Sequence, residues 1–125
     1  MNQGSLHLLT FILAITILIC SCDKHHSKKL SGTYSCKVHC HSWTLSGSVF
    51  DTIYFEEIEI KQEGKDLKIL DELIHIDSLW NERQYNEGNY PNYFSVLFTN
   101  DSVYITNGGS GHGGAGYCKY SGKKK

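Results

Sequence analysis

"TYSCKVHCHSW", residues 33–43, is the stretch that decides the fold class of this chain. Tyr34, Cys36, Val38 and Cys40 alternate with Ser35, Lys37, His39 and His41. Successive side chains of an extended chain point to opposite sides. A period of two sustained this long therefore predicts a strand with one buried and one wet face.

Other runs follow the same rule. In DTIYFEEIEIKQ, residues 51–62, Ile53 and Phe55 fall on one parity and Ile58 and Ile60 on the other. The slip at Glu56-Glu57 predicts a β-bulge that restores the inward face. On this reading all four apolar residues point inward, Glu57 and Glu59 share the wet face, and the bulge turns Glu56 outward beside them. Glu63-Gly64-Lys65-Asp66 is turn chemistry, and Leu67 and Ile69 alternate after it. DELIHIDSLW, residues 71–80, fits a strand through Ile74 and Ile76 and also a helix face through Leu73, Ile76 and Trp80. NERQYNEGNYPNY, residues 81–93, is polar and reads as a long loop. FSVLFTNDSVYIT, residues 94–106, is the strongest hairpin signal: Phe94, Val96 and Phe98 lead out, Asn100-Asp101 turns, and Val103 and Ile105 return. NGGSGHGGAG, residues 107–116, has no Gly-Lys-Ser/Thr ending and no helix after it, so it is not a phosphate loop. It reads as a flexible surface loop before a short closing strand, GYCKYSG.

Serial strands with short turns predict an all-β domain: an antiparallel meander closed into a small barrel or sandwich. Pairing of the first strand with the last would remove the open edges that invite aggregation.

This β domain spans residues 31–125, after a different kind of segment. Residues 8–19 form a nearly unbroken apolar run. At about 1.5 Å per residue such a helix is too short for a bilayer core of about 30 Å, but it has the length of a signal-peptide core. Ile19-Cys20-Ser21-Cys22 resembles the lipobox of bacterial lipoproteins, whose obligatory Cys becomes the lipid-modified first residue after cleavage. The resemblance implies a signal peptide over 1–21, removal of Cys20 with it, and Cys22 as the anchor. Two acyl chains on one thiol would supply the double hydrophobic signal that stable attachment requires. Residues 22–30 are polar and read as a flexible tether. Cys22-Asp23-Lys24, together with DSLW, YFSV and NDSVYIT, is similar to small lipoproteins of the Bacteroidota, a group with no activity to carry over. Asp51-Thr52-Ile53, Asp77-Ser78-Leu79 and Asp101-Ser102-Val103 resemble the O-glycosylation acceptor of those bacteria. The location implied is the cell envelope, facing the periplasm or the cell surface.

An exported domain can keep disulfides. Cys36 and Cys40 share a strand face at a separation of about 13 Å, too far to bond each other. Cys118, on the last strand, can reach either, and the third thiol stays buried as a small hydrophobe. His39 and His41 share one strand face and, with His112 or His75, would be the start of a zinc site. Only two ligands are placed by spacing, so the favoured reading is two polar residues on a wet face, with no metal and no cofactor. Net charge is −1, with acidic and basic residues interspersed, which argues against a nucleic-acid surface. Tyr85, Tyr90 and Tyr93 are candidates for an amphipathic contact surface.

No catalytic set emerges. The expected function is a lipid-anchored, non-enzymatic binding or interaction module for a protein or small molecule. The alternatives are a lipocalin-like carrier of a small apolar ligand and a metal-binding or enzymatic domain using His39 and His41.

Overall fold

The computed structural model describes residues 30–81, 83–88 and 92–125. The signal segment, Cys22 and residues 22–29 of the tether lie outside the described residues, as does Tyr90.

Eight strands follow one another: β1 (Gly32–Thr44), β2 (Val49–Glu63), β3 (Asp66–Ile69), β4 (Glu72–His75), β5 (Gln84–Glu87), β6 (Tyr93–Phe98), β7 (Ser102–Gly111) and β8 (Gly114–Lys124). They form one antiparallel sheet in the order β4-β3-β2-β1-β8-β7-β6-β5, curled into a nearly closed barrel. The first strand pairs with the last, from Tyr34↔Lys124 to Thr44↔Gly114. The two strands at the ends of the order, β4 and β5, are consecutive in the chain. A 3-10 turn, Ile76–Ser78, leads out of β4. Ile76 N–H donates to the Lys65 carbonyl and Phe98 N–H to the Arg83 carbonyl, so the connection is tied to strands on both sides.

The inner face collects the alternating residues the sequence marks. Tyr34, Cys36 and Val38 of β1 are buried with Ile58, Ile60, Leu67, Ile69, Ile74, Phe94, Val96, Phe98, Val103 and Ile105. Most of these side chains are almost fully removed from water, so the interior at this end is filled by protein. The segment 71–80 is resolved into a strand followed by the 3-10 turn: Ile74 points inward and Leu73 outward. The expected long loop at 81–93 contains β5, and Tyr93 opens β6.

Two expectations are overturned. The β1–β2 register runs without interruption from Gly32↔Ile60 to Trp43↔Val49, so there is no bulge at Glu56-Glu57. Keeping every ladder bond leaves Ile53 and Phe55 on the outer face, where they are 55% and 76% exposed. Glu56 therefore takes the inner side, opposite Cys36, and does not join Glu57 and Glu59. Outside, Glu57 pairs with Lys125, and Glu59 lies 3.1 Å from Lys61. The second correction concerns residues 107–116. They are not a loop: β7 runs to Gly111 and β8 begins at Gly114, leaving a two-residue turn. Backbone pairing of β7 with β8, and of β8 with β1, outweighs the entropy that glycine costs there.

Gly122 shows why some glycines are needed. It lies between Cys36 of β1 and Val103 of β7 in one row across the sheet. A Cβ there would overlap the Cys36 sulfur. Gly122→Ala is therefore expected to destabilise the domain by about 1–3 kcal/mol through overpacking. In a Cys36→Ala background the same change should cost clearly less, read from urea midpoints. Strict additivity of the two changes would show that the notch does not exist.

Candidate functional site

Apart from Phe94, which lies opposite Asn107, buried side chains end at the row of Val38, Ile105 and Val96, yet four strands continue. Residues 40–44 of β1, 49–52 of β2, 107–111 of β7 and 114–118 of β8 form a four-stranded extension of the sheet, in the order β2-β1-β8-β7. At its boundary with the core, Cys40 and Cys118 sit directly opposite each other with Cα atoms 4.0 Å apart, joined by a disulfide. Cys36 is the buried free thiol.

The far ends of the two hairpins are fastened together. Thr44 N–H donates to the Ser48 carbonyl, Gly47 N–H to the Thr44 carbonyl, and Gly47 takes the left-handed conformation (φ 86°) that the turn needs. Leu45 N–H donates across to the Gly113 carbonyl of the β7–β8 turn. Close approach requires glycine at 114, where a Cβ would overlap the Trp43 carbonyl. Around this tip Trp43, Leu45, Val49 and Phe50 are all exposed.

On the outer face of the extension the register aligns side chains in rows. One row reads Tyr93, Gly108, Tyr117, His41 and Asp51 across β6, β7, β8, β1 and β2. The next reads Ser110, Ala115, Trp43 and Val49. Small residues thus alternate with rings. The Tyr93 ring lies over Gly108, where a Cβ would stand 2.7 Å from it. His41, Trp43, Tyr93 and Tyr117, with Ser110 and Ala115, bound a hollow of about 120 Å³. The His41 and Tyr117 ring centres are 5.7 Å apart, and Lys119 Nζ sits 5.0 Å from the Tyr117 ring centre.

His39 and His41 share this face as expected, and the structure adds a partner the spacing did not reveal. Asp51 Oδ1 is 2.5 Å from His39 Nε2, and Oδ2 is 4.0 Å from His41 Nδ1. Asp51 stands opposite His41 because the short 45–48 turn fixes the β1–β2 register. His112 lies in the β7–β8 turn. His75 lies on β4, where its Nδ1 accepts from the Asp77 N–H. Among the described residues no three His, Cys, Asp or Glu side chains are grouped to hold a metal ion.

A larger, open cleft of about 590 Å³ lies over Glu72, Glu87, Asn92, Tyr93, Phe94 and Asn107. The Tyr85 hydroxyl donates to Glu87, which, with burial and the nearby acidic charges, pushes the phenol up to about 12. Ser102, in one of the acceptor-like triplets, is buried, and its hydroxyl donates to Asp101. No family model, curated protein or solved structure matches this chain.

Sequence reasoning singled out Tyr93 but missed Trp43. The signal was present: Trp43 continues the outward parity of His39 and His41.

The thiols give two checks. The disulfide spans a separation of 78 residues. Its reduction is expected to remove about 4 kcal/mol of stability by the chain-entropy model and to lower the thermal midpoint. Burial, and next the charge of Glu56, push the Cys36 thiol up to about 11. The unfolded chain loses this proton near the ordinary value, whereas the folded domain holds it. Stability should therefore fall as pH rises from about 9 towards 11, and Cys36→Ala should abolish that part of the slope. Iodoacetamide should label Cys36 only after unfolding.

Proposed function

We propose that this protein is an exported, lipid-anchored binding module without catalytic activity, and that the four-stranded extension is its recognition surface. One observation carries this reading. The extension and its tip turn present Trp43, Leu45, Val49 and Phe50 to solvent, on strands that no core requires to be so long. Apolar rings kept exposed and clustered on a domain with a filled interior are the mark of a contact surface.

The geometry suits an anchored protein. The chain enters the sheet at Gly32, and the tip turn begins twelve residues further along one strand, about 40 Å away. An anchor at Cys22 would attach the domain through the strand end that lies away from the tip. The disulfide at the root of the extension agrees with an oxidising compartment. The packed interior gives no support to an apolar-ligand carrier. The pairing of Glu57 and Glu59 with lysines, and of Asp51 with His39, gives those groups structural partners rather than chemical work.

Cys22→Ser is expected to move the full-length protein from the membrane pellet to the soluble fraction, and intact mass should show the acyl chains on wild type alone. A variant that pellets as wild type does would remove the anchor from this reading.

A further inference from the structure

We propose that the outer-face hollow bounded by His41, Trp43, Tyr93 and Tyr117 is a saccharide subsite that takes a single sugar ring. This deepens the binding-module reading and rests on it, but it is independent of the anchor.

The first argument is shape. Two outward sheet positions in the hollow hold the small residues Ser110 and Ala115. They make a flat, shallow floor, and rings from β1, β6 and β8 stand around it. The absence of a side chain at 108 lets the Tyr93 ring lie on the backbone, which fixes one wall. The volume, about 120 Å³, equals roughly four liquid waters. An open hollow of this size accepts one face of a single six-membered ring, with the rest of the ring in solvent.

The second argument is chemistry. A pyranose has an apolar face of C–H groups and a rim of hydroxyls. The faces of Trp and Tyr carry the negative part of the ring quadrupole, which attracts C–H groups while offering apolar contact. Trp43 and Tyr93 remain 45% and 39% exposed, so ring surface is available to a ligand. Two side chains that line the hollow carry polar groups, the Ser110 hydroxyl and the His41 imidazole. Asp51 lies beyond His41, within 4.0 Å of its Nδ1. Donors and acceptors placed around an apolar floor are what orient a small ligand in a mostly apolar site.

The third argument discriminates. A cage of aromatic rings also suits a quaternary ammonium ion. Here a cation is already resident, because Lys119 Nζ stands 5.0 Å from the Tyr117 ring centre. A second positive charge at the same ring would be repelled, whereas a neutral polyol would not. The site therefore favours a neutral sugar over an ammonium group.

The test uses the full-length protein in a polyoxyethylene detergent, which carries neither a sugar nor an ammonium headgroup. The chain has two tryptophans, so Trp80→Phe leaves Trp43 as the sole indole reporter. Methyl glucoside, methyl mannoside and N-acetylglucosamine are titrated while Trp43 emission is followed, with tetramethylammonium chloride as the cationic probe. At least one sugar should give a saturable shift in the millimolar range, as expected for one small ring. Ala115→Leu, which raises the floor at a half-buried outward strand position, should weaken that binding at least about tenfold while leaving the protein folded, as read from the thermal unfolding transition. Trp43→Ala, followed by saturation-transfer NMR on the sugar, should abolish it. The proposal is overturned if no sugar gives a saturable signal, if tetramethylammonium binds more tightly than every sugar, or if Ala115→Leu binds as wild type does. None of these results would alter the fractionation of Cys22→Ser, so the two readings fail separately.

Discussion

The pairing of β1 with β8 is the constraint from which the rest of this domain follows. β1 is hydrogen-bonded along nearly its whole length on both sides, to β2 and to β8. That single arrangement converts two four-stranded meanders into one curled sheet. It sets Cys40 against Cys118, sets Cys36 against the notch at Gly122, and aligns His41 with Tyr117. A shift of one residue in this register would turn every β8 side chain to the other face. The disulfide, formed across the pair, fastens the register at the level where the core ends.

Two ends of one sheet do different work. At the entry end, aliphatic and aromatic side chains fill the interior and supply the burial that holds a small domain together. At the other end the same four strands continue without a core. Their stability comes from backbone ladders, from the hydrogen bond between the two hairpin tips and from the disulfide at the root. A sheet released from core packing is free to specialise its faces. Here the freedom is used for small residues at 108, 110 and 115 and for rings around them. Glycine at 114 belongs to the same economy of space, since it lets β8 lie against the Trp43 backbone.

The polar layer between the two ends is also informative. Glu56 and Tyr54 lie on the inner side of β2, Tyr120 on that of β8 and Cys36 on that of β1. Burial and the proximity of Tyr54 and Glu56 push the Tyr120 phenol up, so the neutral form is favoured where water thins out. The interior thus grades from apolar, through a layer of polar side chains, to the glycine-rich inner face of the extension. On the outer side, Lys119, His39 and Asp51 set polar groups beside the aromatic side chains.

Much of this was present in the chain as one-dimensional information. The alternation in residues 33–43 determined that β1 is a half-buried strand. The runs around Ile58, Leu67, Phe94 and Val103 determined an all-β domain, because a period of two fits no other backbone. The thiol spacing excluded a Cys36–Cys40 bond by distance alone, but chose no partner for Cys118. What the sequence left open depends on contacts between distant strands. Ile53 and Phe55 look like core residues until an unbroken ladder with β1 assigns them to the outer face. Residues 107–116 look like a loop until the pairing of β7 with β8, and of β8 with β1, supplies the hydrogen bonds that outweigh the entropy of six glycines. Asp51 and His39, or Tyr93, Tyr117 and Trp43, are unrelated letters until the register sets them side by side. Local periodicity is a property of one strand and is written within it. Register, face and neighbour are properties of pairs of strands, and only the folded sheet decides them.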